Sequence, residues 1–267
     1  MLRAALPLAF LVTVAGCAAP TNNGGDTGTD VGADKVPDKG DFQVQYEPSA
    51  NADLQAWEDY FAGIQMLESV AGGINDTFAL PKDALLIMGE CGFSNAFWTS
   101  KDKSLALCLE LANDIATTFA NGGLGLTNEQ VVQATVNTYL WVSYHEMGHA
   151  LIDLLDLPTT GKEEDAVDQF STVLFIEGGA GWAAVDAGYF FYLVDQGVAA
   201  PTDLADEHAL GLQRFYNVLC LVYGSDPKEY ADLLTSFPEM EARAPRCKDE
   251  YLDATDAWTR LLEPYAL

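Results

Sequence analysis

An α+β fold, with a small N-terminal sheet ahead of a helical body, is what the sequence predicts, and three observations carry it. Alternating and short apolar runs, separated by turn residues, are confined to the chain before about residue 108. Beyond that point the apolar residues recur at helical spacing. Two capping boxes, Thr127 with Gln130 and Thr160 with Glu163, mark helix starts inside that second region. The composition agrees: 49% hydrophobic and 20% charged residues over 267 positions can fill a sizeable core, which excludes a mainly disordered chain.

The elements follow in order. Phe42, Val44 and Tyr46 alternate with polar residues, which is strand periodicity. Leu54, Trp57, Phe61, Ile64 and Leu67 predict a helix over 52–70, stopped by Gly72-Gly73. Residues 84–88 form a short apolar strand. Residues 93–98 and 105–109 flank the polar turn Thr99-Ser100-Lys101-Asp102-Lys103 and read as a hairpin, so the sheet is expected to be mostly antiparallel. The Thr127 box opens a long helix to about Asp156, ended by Pro158; the Thr160 box opens another to about Ile176. Further helices are expected over 180–197, 207–223, 226–235 and 246–262. No internal repeat is evident.

Residues 1–16 have one positive charge, Arg3, followed by an apolar run from Ala4 to Val14 that is too short to span a bilayer and has the layout of a secretory segment. The following Val14-Ala15-Gly16-Cys17 resembles the lipobox of bacterial lipoproteins. That resemblance implies cleavage before Cys17, lipid on Cys17 and a cell-envelope location. Ala18 and Ala19, with no Asp after the Cys, would favour the outer membrane, on its periplasmic or surface face. Residues 17–40 lack aromatics and are rich in Gly, Asp, Thr and Pro, so they are expected to be a flexible tether, leaving 41–267 as one folded domain. Export makes disulfides natural. Cys91, Cys108, Cys220 and Cys247 allow three connectivities, and Cys91–Cys108 with Cys220–Cys247 is favoured because the first pair flanks the hairpin. Glu177 and Asp186 interrupt the most apolar later stretch, 173–194, so no further span is expected.

With 13 Lys and Arg against 40 Asp and Glu, the formal charge of −27 repels phosphate backbones, and nucleic-acid binding through a basic patch is excluded. The chemistry lies in His145-Glu146-Met147-Gly148-His149, inside the long helix. Histidines four apart share one helical face and can reach one metal ion. The Glu between them is offset around the helix, so it addresses a water beside the metal as general base. Residues 139–157 are apolar on nearly every side, as in a buried helix, where two His and a Glu without partners would cost about 2 kcal/mol or more per group. A metal supplies the partner. Glu164 and Asp168, four apart on the next helix, offer a third ligand and a carboxylate to orient a ligand His.

This arrangement resembles the gluzincins, in which a downstream Glu completes the zinc site and an Asp one turn later supports the first His. The gap from His149 is shorter than in thermolysin-like enzymes, which leaves Glu163 and Asp165 as competing ligands. Asn95-Ala96-Phe97-Trp98 resembles the edge strand of the thermolysin-like cleft, whose backbone pairs with an extended peptide. The wider pattern, CGxxNAFW…LCLEL, HEMGHALIDLLDLP, GKEEDAVDQF, EHALGLQRFYNVLCLVYG and RxPRC, is similar to a family of bacterial metallopeptidases of unassigned substrate, over residues 42–262. The resemblance implies a zincin-like fold, one zinc held by His145, His149 and Glu164, and Asp168 behind the first His. It also implies Glu146 as general base, Asn95, Ala96 and Phe97 along the substrate, and peptide-bond hydrolysis; the expected partner is a peptide or protein, and the expected state a monomer. His208 is the natural donor to a developing oxyanion, with Arg214, Tyr216 and Tyr223 behind it. Two other readings stand beside this one: a zinc-containing lipoprotein that binds peptide without cleaving it, and a structural envelope lipoprotein with no metal.

Overall fold

The computed structural model describes residues 36–195 and 205–267. The expected secretory segment, Cys17 and most of the tether lie outside the described residues. Strand β1 (Phe42–Tyr46) leads into α1 (Ala52–Gly63) and α2 (Met66–Asn75), then β2 (Ala84–Gly89), β3 (Ala96–Thr99) and β4 (Ser104–Cys108). Six longer helices follow, α3 (Leu109–Asn121), α4 (Asn128–Leu155), α5 (Glu163–Glu177), α6 (Gly181–Val194), α7 (Gly211–Ser225) and α9 (Ala244–Leu262), with a short α8 (Asp232–Ser236) before the last. The architecture is the expected α+β one, strands first and helices after. Lys39 N donates to Leu80 O, so the folded part includes the last residues of the expected tether. No described helix is long and apolar enough to cross a membrane.

The sheet departs from expectation. Its order is β1-β2-β4-β3, with β1/β2 and β2/β4 parallel and only the β3/β4 hairpin antiparallel. Two helices separate β1 from β2, a crossover long enough to bring the chain back in the same direction. The chain then passes to the outer edge as β3 and returns as β4 into the gap beside β2. The sheet is mixed, and β3 is left at its edge.

The single helix expected over 52–70 is two. Gln65 adopts a left-handed conformation (φ 55°), which breaks the helix after Gly63 and restarts it at Met66. The second helix then runs through Gly72-Gly73 instead of stopping there. Two glycines cost about 2 kcal/mol of helix propensity, which is offset by burial of Val70, Ala71 and Ile74 and by Asn75. That side chain accepts from Phe42 N and donates to Phe42 O, tying the end of α2 to β1.

Helix α4 starts as predicted, with Thr127 Oγ1 accepting from Gln130 N and Gln130 Oε1 from Thr127 N. It is the axis of the core, with Tyr139, Trp141, Met147, Ala150 and Leu151 inaccessible to solvent. Helix α5 packs closely against it at Gly148, where a Cβ would come 2.8 Å from Val167. Ser171 Oγ donates to Trp141 O, and Trp141 Nε1 donates to Thr172 Oγ1, which pins the two helices in register. The Thr160–Glu163 capping box does not form. Lys162 occupies the cap, and the Glu163 carboxylate is taken by His149 instead. Helix α7 begins at Gly211 rather than 207, α8 is a short remnant of the helix expected over 226–235, and the last residues of the helix expected over 180–197 fall outside the described residues. Disulfides Cys91–Cys108 and Cys220–Cys247 join the expected partners; the first ties the loop before β3 to the end of β4, and the second ties α7 to α9.

Candidate metal centre

One turn apart on α4, His145 and His149 project toward the N-terminal turn of α5, with ring centroids 5.1 Å apart. Each ring is oriented from behind. His145 Nδ1 lies 2.7 Å from Asp168 Oδ1, and His149 Nδ1 lies 2.7 Å from Glu163 Oε1. A carboxylate at Nδ1 requires the proton there, so a neutral ring presents its lone pair at Nε2. Those two Nε2 atoms converge on Glu164, at 3.2 Å from Oε2 for His145 and 3.3 Å from Oε1 for His149.

His145, His149 and Glu164 therefore form a group whose ligand atoms all lie within 4.8 Å of one another, and it can hold a metal ion. The donor chemistry passes a test of fit. Glu164 Oε2 is buried and has no hydrogen-bond partner among the described residues. Two nitrogen lone pairs and a carboxylate facing one point, with their protons directed elsewhere, suit a divalent transition metal. Without one, protons must compensate. Burial lowers His149, but Glu164 and Glu163 outweigh it and raise the ring to about 9. Burial raises Glu164, yet His145, His149 and His208 hold it well below the usual carboxylate range.

Asp168 is nearly inaccessible, and Arg214 clamps it by two hydrogen bonds, Nε to Oδ2 at 2.8 Å and Nη2 to Oδ1 at 2.7 Å. Burial pushes the carboxyl up, but Arg214 and His145 more than reverse this and hold it at about 2. The guanidinium lies over Phe191, 3.9 Å from the ring centroid. Arg214 is thus committed to Asp168 and corrects its place among the expected oxyanion donors.

Glu146 is not part of the metal-ligating group. Its Oε1 is 3.9 Å from His145 Nε2, and its Oε2 accepts from the backbone N–H of Trp98 at 3.1 Å. Burial raises its pKa, partly opposed by the two histidines, which favours proton acceptance. His208 is drawn to the same centre, with Nε2 3.0 Å from Glu164 Oε2 and Nδ1 3.0 Å from Asp206 Oδ1. Its side chain is 41% exposed. Tyr216 and Tyr223 pack against the core and are not hydrogen-bonded to this group.

The edge strand is positioned by contacts that sequence reading missed. Cys108 N donates to Asn95 O, so by antiparallel alternation Asn95 and Phe97 turn their backbone groups toward β4. Ala96 and Trp98 turn theirs to the free edge, and the Trp98 N–H reaches Glu146 from there. Asp153, four residues after His149, accepts from Trp98 Nε1 at 3.0 Å and from Lys103 Nζ, fastening the hairpin to α4. Its i+4 spacing from His149 is the one sequence signal that could have disclosed it.

Comparison with known proteins gives one result that covers most of the chain. The family described as DUF4344, Putative metallopeptidase, matches residues 46–262. No curated protein and no solved structure matches the chain.

Proposed function

The chain belongs to this family of putative metallopeptidases, and from that membership we propose that it is a zinc-dependent peptidase with a zincin-like catalytic arrangement. One observation carries the reading: the Nε2 atoms of His145 and His149 and the Glu164 carboxylate meet at one point, with the buried carboxylate of Glu146 beside them. Two His and one Glu, with a further position left for water, form a donor set used by catalytic zinc. Bound there, one zinc ion supplies Lewis acidity, polarising a carbonyl and lowering the pKa of water toward about 7.

The side chains of this protein do the rest. Glu146, raised by burial and steadied by the Trp98 N–H, accepts the proton of the attacking water and returns it to the departing amine. His208, close beside Glu164, donates to the oxygen on which negative charge develops. Asp168 and Glu163 hold the imidazoles in the tautomer that ligates. The free edge of β3, through the N–H and C=O of Ala96 and the C=O of Trp98, offers backbone groups to an extended peptide.

The test measures zinc in protein purified without chelators and hydrolysis of an unstructured protein by the parent and by Glu146→Gln. Zinc should be about one per chain in both, and hydrolysis should fall by ~10²-fold or more in the variant. Equal cleavage by both would overturn the peptidase reading, and zinc without cleavage by either would favour a peptide-binding protein. The lipobox supports a cell-envelope lipoprotein anchored through Cys17. Cys17→Ser should leave the membrane fraction, and its retention there would refute the anchor.

A further inference from the structure

The acidic run that opens α5 contains three successive carboxylates, separated by about 100° around the helix, and they face three different surroundings. Glu163 holds His149, and Glu164 joins the metal-ligating group. Asp165 does neither. It is half-buried at the border of a hollow of about 390 Å³ whose other walls include Leu212, Gln213, Tyr216, Asn217 and Arg243.

The charges in that hollow do not balance locally. Arg243 is spoken for: its Nη2 donates to Glu250 Oε2 at 2.6 Å and its Nη1 to Asn217 Oδ1 at 2.8 Å. Asp165 has no ion pair or hydrogen bond among the described residues. An acidic residue lining a hollow that Ala209, Leu212 and Tyr216 also line sets a negative charge beside apolar groups. That is the complement of a long alkyl stem ending in a cation. The hollow also adjoins the metal centre. Ala209, another of its walls, follows His208, and Asp165 follows Glu164, while His208 Nε2 and Glu164 Oε2 are 3.0 Å apart. The formal charge of −27 draws cationic chains toward the molecule from a distance.

We propose that this hollow is a selectivity site for a lysine or arginine side chain flanking the scissile bond, with Asp165 as its determinant. The proposal rests on the peptidase reading and adds to it a substrate class, basic peptides.

The experiment uses matched peptides carrying Lys, norleucine or Glu at each position around the cut. The parent should favour Lys over norleucine in kcat/KM by ~10-fold or more at one position, less so at high salt. Asp165→Asn should bring that ratio near one, and Asp165→Lys should turn the preference toward Glu. Zinc content and Tm equal to the parent's would show that neither metal site nor fold has been disturbed. A parent without a Lys preference, or an Asp165→Asn variant that keeps one, would overturn the proposal. Should the parent cleave no peptide, the peptidase reading fails by itself, and calorimetric binding of the Lys and norleucine peptides decides the hollow. Tighter Lys binding that depends on Asp165 supports it, and equal binding overturns it.

Discussion

Replacing Asp168 by Asn removes one negative charge from the point where α4, α5 and α7 meet. The carboxylate accepts from His145 Nδ1 and twice from Arg214, and its pKa is about 2 in the folded protein against 3.8 for the free side chain. A folded-state pKa below the unfolded one means stability that is fully present above pH 3.8 and is lost as pH falls through about 2. At neutral pH the depression corresponds to about 2 kcal/mol. The loss in the variant should be larger, because Arg214, only 14% exposed, would be left with a buried uncompensated charge, and breaking such a pair costs about 3–5 kcal/mol. Urea denaturation of chelator-treated protein should therefore show the variant about 2–5 kcal/mol less stable at pH 7, with the gap closing as both proteins are taken toward pH 2. Zinc affinity should fall by ~10–100-fold, since His145 would lose the group that sets its tautomer. Asp168→Asn combined with Arg214→Met should recover part of the stability. A gap below about 0.5 kcal/mol at pH 7, or one that does not narrow in acid, would refute the account of this cluster.

Asp153→Ala should release the β3/β4 hairpin from α4, raising KM for extended peptides several-fold while zinc stays bound, and Asp153→Asn, which can still accept from Trp98, should do less harm; unchanged kinetics in the Ala variant would remove Asp153 from substrate positioning. Asp186 is driven up to about 7 by burial, against the hydrogen bond from Asn137, so it favours folding most below pH 3.8 and progressively less as pH rises through 7. Asp186→Asn should accordingly gain on the parent between pH 4 and pH 8.5 by up to about 4 kcal/mol, read from Tm and urea midpoints, and a difference independent of pH would show that the carboxyl ionises freely. Loss of the Cys220–Cys247 bridge, which closes a span of 27 residues, should cost about 3 kcal/mol in a Cys220→Ser/Cys247→Ser protein; an unchanged urea midpoint would mean that α7 and α9 hold together without it.

Much of this molecule was decided within a few residues of chain. The start of α4 rests on Thr127 and Gln130, three residues apart, and the shared face of His145 and His149 rests on the pitch of one helix. The strands at 42–46 and 84–89 and the β3/β4 hairpin are equally local, since side-chain alternation and turn composition specify them. Where long-range contacts compete with local preference, the sequence pattern failed. Gly72-Gly73 did not end α2 because Ile74 and Asn75 have buried partners in space, and Glu163 did not close a capping box because His149 offered its carboxylate a better site. The parallel strand order was equally illegible, because it depends on which way a two-helix crossover returns. Glu164 could be singled out by its spacing from Asp168, but the tasks of Glu163 and Asp165 were beyond reach for the same reason. Three adjacent acids look alike in sequence, and their tasks differ only because α5 approaches α4 across Gly148 at one particular rotation. That rotation is set by packing between residues 19 to 31 positions apart, Gly148 against Val167 and Trp141 against Ser171 and Thr172. Local sequence therefore determined which chemical groups were present and which helix carried the histidines, while tertiary packing decided which carboxylate each imidazole would meet.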